Sequence, residues 1–431
     1  MTPLYDAIRA YAAQNPARFH MPGHKGSFLP VPELQSIAPL DVTEVEPTGD
    51  LFSGGEPFDQ AQALWAAHFG MEDCLFLTGG STLGLHAALA LFCRPGDQVL
   101  IDRGCHRAVY NALALLDLEP VYLPRPWRTG EGIAGPISPQ DVENLLDSHP
   151  NIKTICITSP TYSGVLSDVA ELSHLIHARG GKLIVDGAHG AHLPFLGVDA
   201  FSGCDALICS AHKTLPALGQ SALLFTNGVD PRRVRQMTSV FGSSSPSYPM
   251  MISLDCARDY LEGEGAEEYR RVARRTAALR AAFPSLQEGE LRLDPTRLTL
   301  TSPDGSALAR ALEGENIWPE MADSGHVVLI LTAQDREEDL HRLEEALERH
   351  RDLLGAPPIL PPPPLPQPAC SLRDALFAPV ERLPLENCLG RVAAGQLAPY
   401  PPGVPVVAPG EVISEKELAY LREIGYNNLD V

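Results

Sequence analysis

The feature that most constrains the fold is a repeated alternation of short β-rich runs with helical stretches, between about residues 48 and 240. Apolar runs such as QVLIDR and KLIVDGAH alternate with stretches such as HRAVYNALALL, whose apolar residues recur with helical periodicity. This alternation predicts an α/β layer with a mainly parallel sheet, because parallel strands need a long crossover between them. Ligands bind beyond the carboxyl ends of such strands, and those ends carry the polar runs TGGST, DRGCHR, TSPTYSG, DGAHGAH and SAHK.

The rest of the chain predicts an arm, a smaller domain and a C-terminal segment. A helical stretch at the start leads into the loop FHMPGHKG, whose proline and glycines break regular structure. After residue 254 a charged helical segment precedes an α+β pattern, and the tract PPILPPPPLPQP excludes helix and central strand. The predicted division is an arm over 1–47, a large domain over 48–253, a small α+β domain over 254–356, a proline-rich linker over 357–368 and a C-terminal segment over 369–431.

Composition argues against several classes of partner. The 33 Lys and Arg residues against 54 Asp and Glu residues give a formal net charge of -21, which is the wrong sign for binding a nucleic-acid backbone. No stretch approaches the length of an apolar membrane span, and the first residues do not form an export signal. The nine scattered cysteines contain no CxxC pair and no metal-ligand spacing. We therefore expect a cytoplasmic protein with reduced thiols that binds neither nucleic acid, membrane nor metal.

Two charged residues stand at predicted strand ends. Lys213 follows the apolar run ALIC, and an amine held there among polar groups can act as a nucleophile toward an aldehyde. A surface lysine after a strand is the alternative. Asp186 ends the apolar run KLIV, where a carboxylate can favour the protonated form of a nitrogen heterocycle such as the pyridine of pyridoxal phosphate. A helix N-cap is the alternative for Asp186.

The stretch LTGGSTLGLHAALAL has the pattern of an anion-binding turn. Its glycines allow a tight turn, and Ser81 and Thr82 open a helix whose free N–H groups suit a phosphate. An ordinary N-cap explains Ser81 equally. His106, at the end of the next predicted strand, has the shape to stack on a planar ring, and His189 lies in the same turn as Asp186, within reach of a ring oxygen. Structural histidines remain the alternative for both.

Together these elements give the sequence a specific resemblance. It is similar to the Orn/Lys/Arg decarboxylase family in its short bacterial form, which has the aspartate-aminotransferase-like fold of pyridoxal-phosphate enzymes. The resemblance covers nearly the whole chain and is carried by FHMPGHKG, GGSTLGLHAAL, CHRAVYNAL, SPTYSGV, VDGAHGAH, SAHKTLPALGQSALL, SSSPSYPMMISLD and YPPGVPVVAPGE.

The resemblance implies a role for each candidate residue. Lys213 would carry pyridoxal 5'-phosphate as a Schiff base, Asp186 would face the pyridine nitrogen, and His106 would stack on the ring. His189 would lie near the ring's oxygen. The phosphate would be held by four hydroxyl- or imidazole-bearing residues, Ser81, Thr82, Ser210 and His212. The sequence departs from the family pattern at Gly187, Ala211 and Ala108, where relatives often have an acidic residue, a hydroxyl residue and a serine.

The activity that the resemblance implies is decarboxylation of arginine, lysine or ornithine to an amine used in polyamine synthesis. Acceptors for the substrate's side-chain cation would come from the arm, from the SSSPSYP loop of a second subunit or from the YPPGVPVVAPGE segment, and we expect at least a homodimer. The candidate substrate-binding residues are His20, His24, Glu320 and Glu411.

Two alternatives stay open at this stage. The chain is alternatively another pyridoxal-phosphate enzyme of the same fold, such as an aminotransferase, aldolase or lyase, because fold does not determine chemistry. An aminotransferase usually presents an arginine to the substrate carboxylate; no C-terminal arginine of this sequence has a pattern that marks it for that role, and Arg391 and Arg422 stay open. The third possibility is a non-catalytic relative that binds the cofactor.

Overall fold

The structure is a computed structural model that describes residues 1–359, 361–398 and 405–431. The strands are β1 (Asp73–Leu77), β2 (Gln98–Asp102), β3 (Glu119–Leu123), β4 (Trp127–Arg128), β5 (Ile133–Ala134), β6 (Thr154–Thr158), β7 (Lys182–Asp186), β8 (Ala206–Cys209), β9 (Ala222–Thr226), β10 (Arg297–Thr301), β11 (Met321–Ala322), β12 (His326–Ile330), β13 (Arg382–Pro384) and β14 (Asn428–Asp430). The helices are α1 (Pro3–Ala13), α2 (Phe58–Phe69), α3 (Gly80–Phe92), α4 (Arg107–Leu116), α5 (Pro139–Ser148), α6 (Val169–His177), α7 (Ala211–Thr214), α8 (Pro231–Phe241), α9 (Tyr248–Glu262), α10 (Glu264–Ala282), α11 (Gly305–Gly314), α12 (Glu337–Arg349), α13 (Leu372–Phe377) and α14 (Glu415–Glu423).

The chain forms two compact units, each built from separate stretches of sequence. The first contains residues 1–91 and 184–270, and the second contains residues 92–183 and 271–431. Both therefore combine segments that the sequence assigned to different domains. The predicted domain boundaries remain a prediction.

The first unit contains strands of both directions. β7 pairs with β8 in parallel, β8 pairs with β9 antiparallel, and β9 pairs with β1 antiparallel. The side chains of β8 and β9 are buried throughout, as expected for strands that are covered on both faces. Because Asp186 at the end of β7 is paired with Ile208 near the end of β8, the loops that follow these two strands begin at the same edge.

Helix α3 packs closely on the strands of the first unit. A Cβ atom on Gly84 would lie 2.8 Å from Ile208 Cγ2 and 2.8 Å from Leu77 Cδ1, which is closer than side chains tolerate. Gly80, the first residue of the helix, has φ +67°, a conformation that glycine adopts without strain. These two glycines fix where the N-terminus of α3 lies relative to β1 and β8.

The second unit contains the parallel pairs β2–β3 and β2–β6 and a separate antiparallel group. In that group β12 pairs with both β10 and β11, and α11 and α12 follow β10 and β12 as the predicted small α+β pattern requires. The C-terminal segment forms an apolar cluster of its own, in which α14 packs with buried residues such as Cys388, Val407 and Ile413. Residues 357–359 and 361–368 of the proline tract form neither helix nor strand, as predicted.

The alternation of strands and helices read from the sequence is confirmed, and with it the α/β fold with a mainly parallel central sheet. Strands β1, β2, β6, β7 and β8 coincide with the apolar runs that predicted them. Within the described ranges, the structure contains no helix long and apolar enough to cross a membrane.

Candidate functional site

Lys213 lies on the short helix α7, directly after the buried strand β8. Its Nζ is 3.1 Å from Nε2 of His189, which is 6% exposed and lies in the loop after β7. Parallel pairing of β7 and β8 brings the two residues together although they are distant in sequence. An amine in hydrogen-bond contact with an imidazole has a partner for its proton, which is the arrangement that activates a lysine as a nucleophile.

Asp186 ends β7 and is 3% exposed. Its carboxylate accepts a hydrogen bond from the backbone N–H of Ala188 at 3.1 Å, which turns the chain toward His189. A buried carboxylate stabilises a cationic group that comes close to it. Asp186 therefore ends the strand that pairs with β8, the strand before Lys213. A buried carboxylate at this position is suited to pair with a protonated ring nitrogen.

Hydroxyl groups from two strand ends meet at the start of α3. Ser81 Oγ and Ser210 Oγ are 2.5 Å apart, although one opens α3 and the other caps α7. The first N–H groups of α3 have no partner within the helix, so hydroxyl and backbone donors converge in the pattern that binds phosphate. Thr82 is exposed on the first turn of α3. The predicted phosphate residues Ser81 and Ser210 are thus brought together.

His212 is oriented by a backbone carbonyl. Its Nδ1 is 2.9 Å from the carbonyl oxygen of Ser221, which accepts the hydrogen bond, so Nδ1 carries a proton. With Nδ1 donating, Nε2 of the neutral ring is an acceptor, and it becomes a second donor when the ring is protonated. The carbonyl of Ser221 therefore fixes the orientation of the His212 ring.

This donor set fits pyridoxal phosphate. The first unit supplies a lysine amine, a buried carboxylate at the neighbouring strand end, and two hydroxyls at a helix N-terminus, which match the aldehyde, the ring nitrogen and the phosphate of that cofactor. Packing explains the glycine at position 187, where relatives often have an acidic residue: a Cβ atom there would lie 2.7 Å from Leu207 Cδ1 and 3.0 Å from Phe201 Cε1, so there is no room for a side chain. Ala211 is fully buried on α7.

His106 lies in the second unit, where it caps α4. Its Nδ1 accepts a hydrogen bond from the backbone N–H of Ala108 at 3.2 Å, so the proton of the neutral ring is on Nε2. The backbone of Ala108, one of the three departures, thus takes part in fixing the histidine. His106 is half-buried, and the cap holds its ring at the end of the helix.

The two candidate substrate carboxylates of the second unit have different surroundings. Glu320 accepts a hydrogen bond from the hydroxyl of Tyr162, which lies in the loop after β6. Glu411 is 1% exposed, and Arg103 donates to both of its oxygens at 2.6 and 2.8 Å. Part of the YPPGVPVVAPGE segment, residues 400–404, lies outside the described residues.

The two candidate histidines of the arm are held by neighbours within the first unit. His20 Nε2 is 2.7 Å from the hydroxyl of Tyr11. His24 Nε2 donates to Asp41 Oδ2 at 3.1 Å, and its Nδ1 accepts from the backbone N–H of Gly26 at 3.1 Å. Their contact with a substrate remains a prediction.

Sequence reasoning missed the charged residues that brace the strand ends of the second unit. Arg125 donates to both oxygens of Asp102 and to the backbone carbonyls of Gly135 and Thr158. For Asp102 the available signal is the run QVLIDR, in which two adjacent charged residues follow the apolar residues VLI. Arg391, a candidate of the aminotransferase alternative, forms a surface pair with Glu381 at 3.1 Å.

The fold can be compared with solved structures. A solved structure of lysine decarboxylase LdcF from Francisella novicida superimposes with a TM-score of 0.82 and 19% identity, over 100% of this chain and 79% of that one. This similarity establishes the aspartate-aminotransferase-like α/β fold that the sequence predicted.

The family follows from the sequence matches. Residues 2–304 match the major domain of the Orn/Lys/Arg decarboxylases, and residues 361–427 match their C-terminal domain. The arginine decarboxylase of Bacillus subtilis is 30% identical, over 100% of this chain and 94% of the relative, and the uncharacterized protein YaaO of the same organism is 31% identical over 98% and 94%. The chain belongs to the Orn/Lys/Arg decarboxylase family.

Proposed function

We propose that this protein is a pyridoxal-phosphate-dependent decarboxylase of a basic amino acid. The observation that carries the proposal is the contact of Lys213 with His189 beside the strand that ends in Asp186, in a chain that belongs to the Orn/Lys/Arg decarboxylases. Relatives named as arginine and lysine decarboxylases support the reaction class. The matches lend no support to the aminotransferase, aldolase, lyase or non-catalytic alternatives.

The residues proposed to hold the cofactor are those that the family resemblance implies. Lys213 would bind its aldehyde carbon, Asp186 its ring nitrogen, His189 would stand near its ring oxygen, and Ser81, Thr82, Ser210 and His212 would bind its phosphate. His106 would stack on its ring. When bound, the cofactor supplies an electron sink for the electron pair left behind when the α-carboxylate departs as carbon dioxide.

Residues of the chain would have three tasks in this reaction. His189, whose Nε2 lies 3.1 Å from the Lys213 amine, would exchange a proton with that amine. Asp186 is buried, and as the carboxylate it would favour the protonated form of the ring nitrogen. The proton that replaces carbon dioxide on the α-carbon would come from a group of the site, and Lys213 is the candidate that we propose.

The substrate class follows from the relatives and from the acceptor groups. A guanidinium or ammonium group needs carboxylate, hydroxyl or carbonyl acceptors, and Glu320 with Tyr162 is one such arrangement. His20, His24 and Glu411 are the other candidates. We propose arginine, lysine or ornithine as the substrate, because one methylene more or less changes binding by only about 1–3 kcal/mol and leaves the choice open.

We further propose a cytoplasmic homodimer or larger homo-oligomer that contributes to polyamine synthesis. In support of a reducing compartment, all nine cysteines are thiols in the structure, and the seven buried ones act there as small hydrophobic residues. The division into arm, large domain, small domain, linker and C-terminal segment stays part of this proposal.

The test is a visible absorbance spectrum of the purified protein, followed by release of labelled carbon dioxide from arginine, lysine and ornithine. Lys213→Ala is expected to remove both the visible band and the release, whereas Lys153→Ala, which alters an exposed lysine, is expected to leave both unchanged. An aminotransferase would keep the substrate carboxylate and release no label. A wild-type protein that stays colourless with added pyridoxal phosphate would contradict the cofactor and the function together.

A further inference from the structure

A buried ion pair in the second unit joins two segments that are 308 residues apart in the sequence. Arg103, the residue after β2, is 1% exposed and donates through Nη1 and Nη2 to the two oxygens of Glu411, which is also 1% exposed. Arg103 Nη2 reaches the carbonyl of Pro405 at 3.4 Å, and its guanidinium lies over the ring of Tyr122 at 4.6 Å. The pair therefore fastens the C-terminal segment to the end of β2.

Glu411 is itself fixed by the backbone of the C-terminal segment. Its Oε2 accepts the N–H of Ala408 at 2.7 Å, and its backbone N–H donates to the carbonyl of the same residue at 3.2 Å. Its carbonyl accepts the N–H of Ala393 at 3.0 Å. The carboxylate is thus presented by a closed turn, so that its position is set before it meets Arg103.

On the other side, Arg103 belongs to a short loop that ends in His106. The carbonyl of Arg103 accepts the hydroxyl of Tyr110 from α4 at 2.9 Å, and Asp102 accepts the N–H of Gly104 at 2.9 Å. The N–H of Cys105 donates to the carbonyl of Asp102 at 3.0 Å. Every residue from 102 to 105 therefore takes part in a hydrogen bond that holds the loop, and the side chain of Arg103 connects the loop to the C-terminal segment.

An arrangement of this kind is better suited to setting geometry than to adding stability. Taking two charges out of water costs several kcal/mol per ion, and hydrophobic residues of similar volume often replace a buried pair with no loss of stability. What hydrophobic residues do not reproduce is the planar two-bond fork, which fixes both distance and direction between the partners. The effect of the pair is thus on the orientation of the 102–106 loop.

We propose that Arg103 and Glu411 are positioning residues of the decarboxylation site. The pair uses the C-terminal segment to hold the 102–106 loop, and with it the orientation of the His106 ring that would stack on the cofactor. This inference rests on the proposed function, and it gives Glu411 a role other than that of an acceptor for the substrate cation.

The experiment compares the wild-type holoenzyme with the double variant Arg103→Met/Glu411→Met, which fills the same space without charge. The matched control is Arg349→Met/Glu315→Met, because Arg349 also binds both oxygens of its glutamate, at 3.1 and 2.9 Å, but on the surface of the same unit. The quantities measured are kcat, KM, the thermal unfolding midpoint and the visible circular dichroism of the bound cofactor.

The double variant is expected to fold with nearly the wild-type midpoint and KM, to lose about tenfold or more in kcat, and to show an altered visible circular dichroism band. A displacement of about 1 Å at a reacting group can cost about a hundredfold in rate, which sets the scale of this loss. The control is expected to change none of the four quantities. Arg103→Lys, which keeps the charge but not the fork, is expected to change kcat and the dichroism in the same direction and serves if the double variant does not fold.

Wild-type kcat and an unchanged dichroism band in a folded double variant would overturn the inference. The same holds if kcat falls only in proportion to the folded fraction while the band stays unchanged, because the pair would then act on stability alone. If the wild type releases carbon dioxide from none of the three amino acids, the proposed function fails. A band altered in the double variant and not in the control would still support the positioning role in that case, and an unaltered band would contradict it.

Discussion

Asp255 in helix α9 gives the most quantitative prediction. The residue is fully buried, and its Oδ2 accepts the backbone N–H groups of Leu4 at 2.9 Å and Tyr5 at 3.1 Å, at the start of α1. Burial raises the pKa of this carboxyl from 3.8 to about 6, against the opposing effects of these hydrogen bonds and of Arg258. Asp255→Asn keeps an oxygen acceptor of the same shape and removes the charge that burial disfavours.

The magnitude follows from linkage between protonation and folding. A shift from 3.8 to about 6 corresponds to about 3 kcal/mol, at about 1.4 kcal/mol per pH unit. Because the folded state binds this proton more tightly than the unfolded state, the stabilising contribution is complete below pH 3.8 and is lost as the pH rises through about 6. About 1.4 kcal/mol of that loss falls between pH 5 and pH 7.5. The asparagine variant does not suffer it.

The assay is urea denaturation of wild type and Asp255→Asn at several values between pH 5 and pH 7.5. The difference in the free energy of unfolding, variant minus wild type, should rise by about 1.4 kcal/mol as the pH increases from 5 to 7.5. Asp259→Asn, one turn further along the same helix with a side chain 44% exposed, is the control and should show no improvement of this size. A difference between Asp255→Asn and wild type that is independent of pH, or that grows toward acid, would refute the reasoning.

Two further predictions concern the second unit and the loop after β7. His326 is buried, with Nδ1 3.0 Å from the Asp323 carboxylate and Nε2 2.7 Å from the carbonyl oxygen of Glu131, so both ring nitrogens face acceptors. Burial by itself lowers the pKa of His326, but the contacts with Asp323 and Glu131 outweigh it, and the pKa is raised overall. The stabilisation is complete below about pH 6.5 and is lost as the pH rises through the folded-state pKa, so His326→Gln should destabilise most at acid pH in urea denaturation, and an equal effect at pH 5.5 and 9 would contradict this. Gly187→Ser should lower the unfolding free energy by about 1–3 kcal/mol, because its Cβ would meet Leu207 at 2.7 Å in a packed interior. Unchanged denaturation of this variant would show that the loop has room.

The sequence predicted the parts of the site that are written locally. An apolar run followed by polar and charged residues predicted where Asp186 and Lys213 stand: Asp186 ends β7, and Lys213 lies on α7, directly after β8. The glycines and hydroxyls of TGGST predicted a helix opened by Ser81 and Thr82, and α3 begins one residue earlier, at Gly80. These features depend on the periodicity of a few neighbouring residues, which is why one sequence sufficed.

Contacts between distant segments were not predictable in this way. The spacing of Arg103 and Glu411 carries no periodic signal, and Glu411 has the appearance of a solvated charge until the fold buries it. The hydrogen bond from Tyr162 to Glu320 likewise depends on how the loop after β6 meets the segment before β11. The place of the glycine in α3 was visible in the sequence, but its reason, the approach of α3 to Ile208, was not.

The contact of Gly84 with β8 has a consequence for how this chain can change over evolution. A methyl group at position 84 becomes acceptable only if both Ile208 and Leu77 shift or become smaller, since each side chain would lie 2.8 Å from it. Substitutions at these positions are therefore tolerated in combination rather than singly. Relatives that carry alanine at the position of Gly84 should carry compensating smaller residues in the strands beneath, so that mutational drift at this helix is coupled to drift in the sheet.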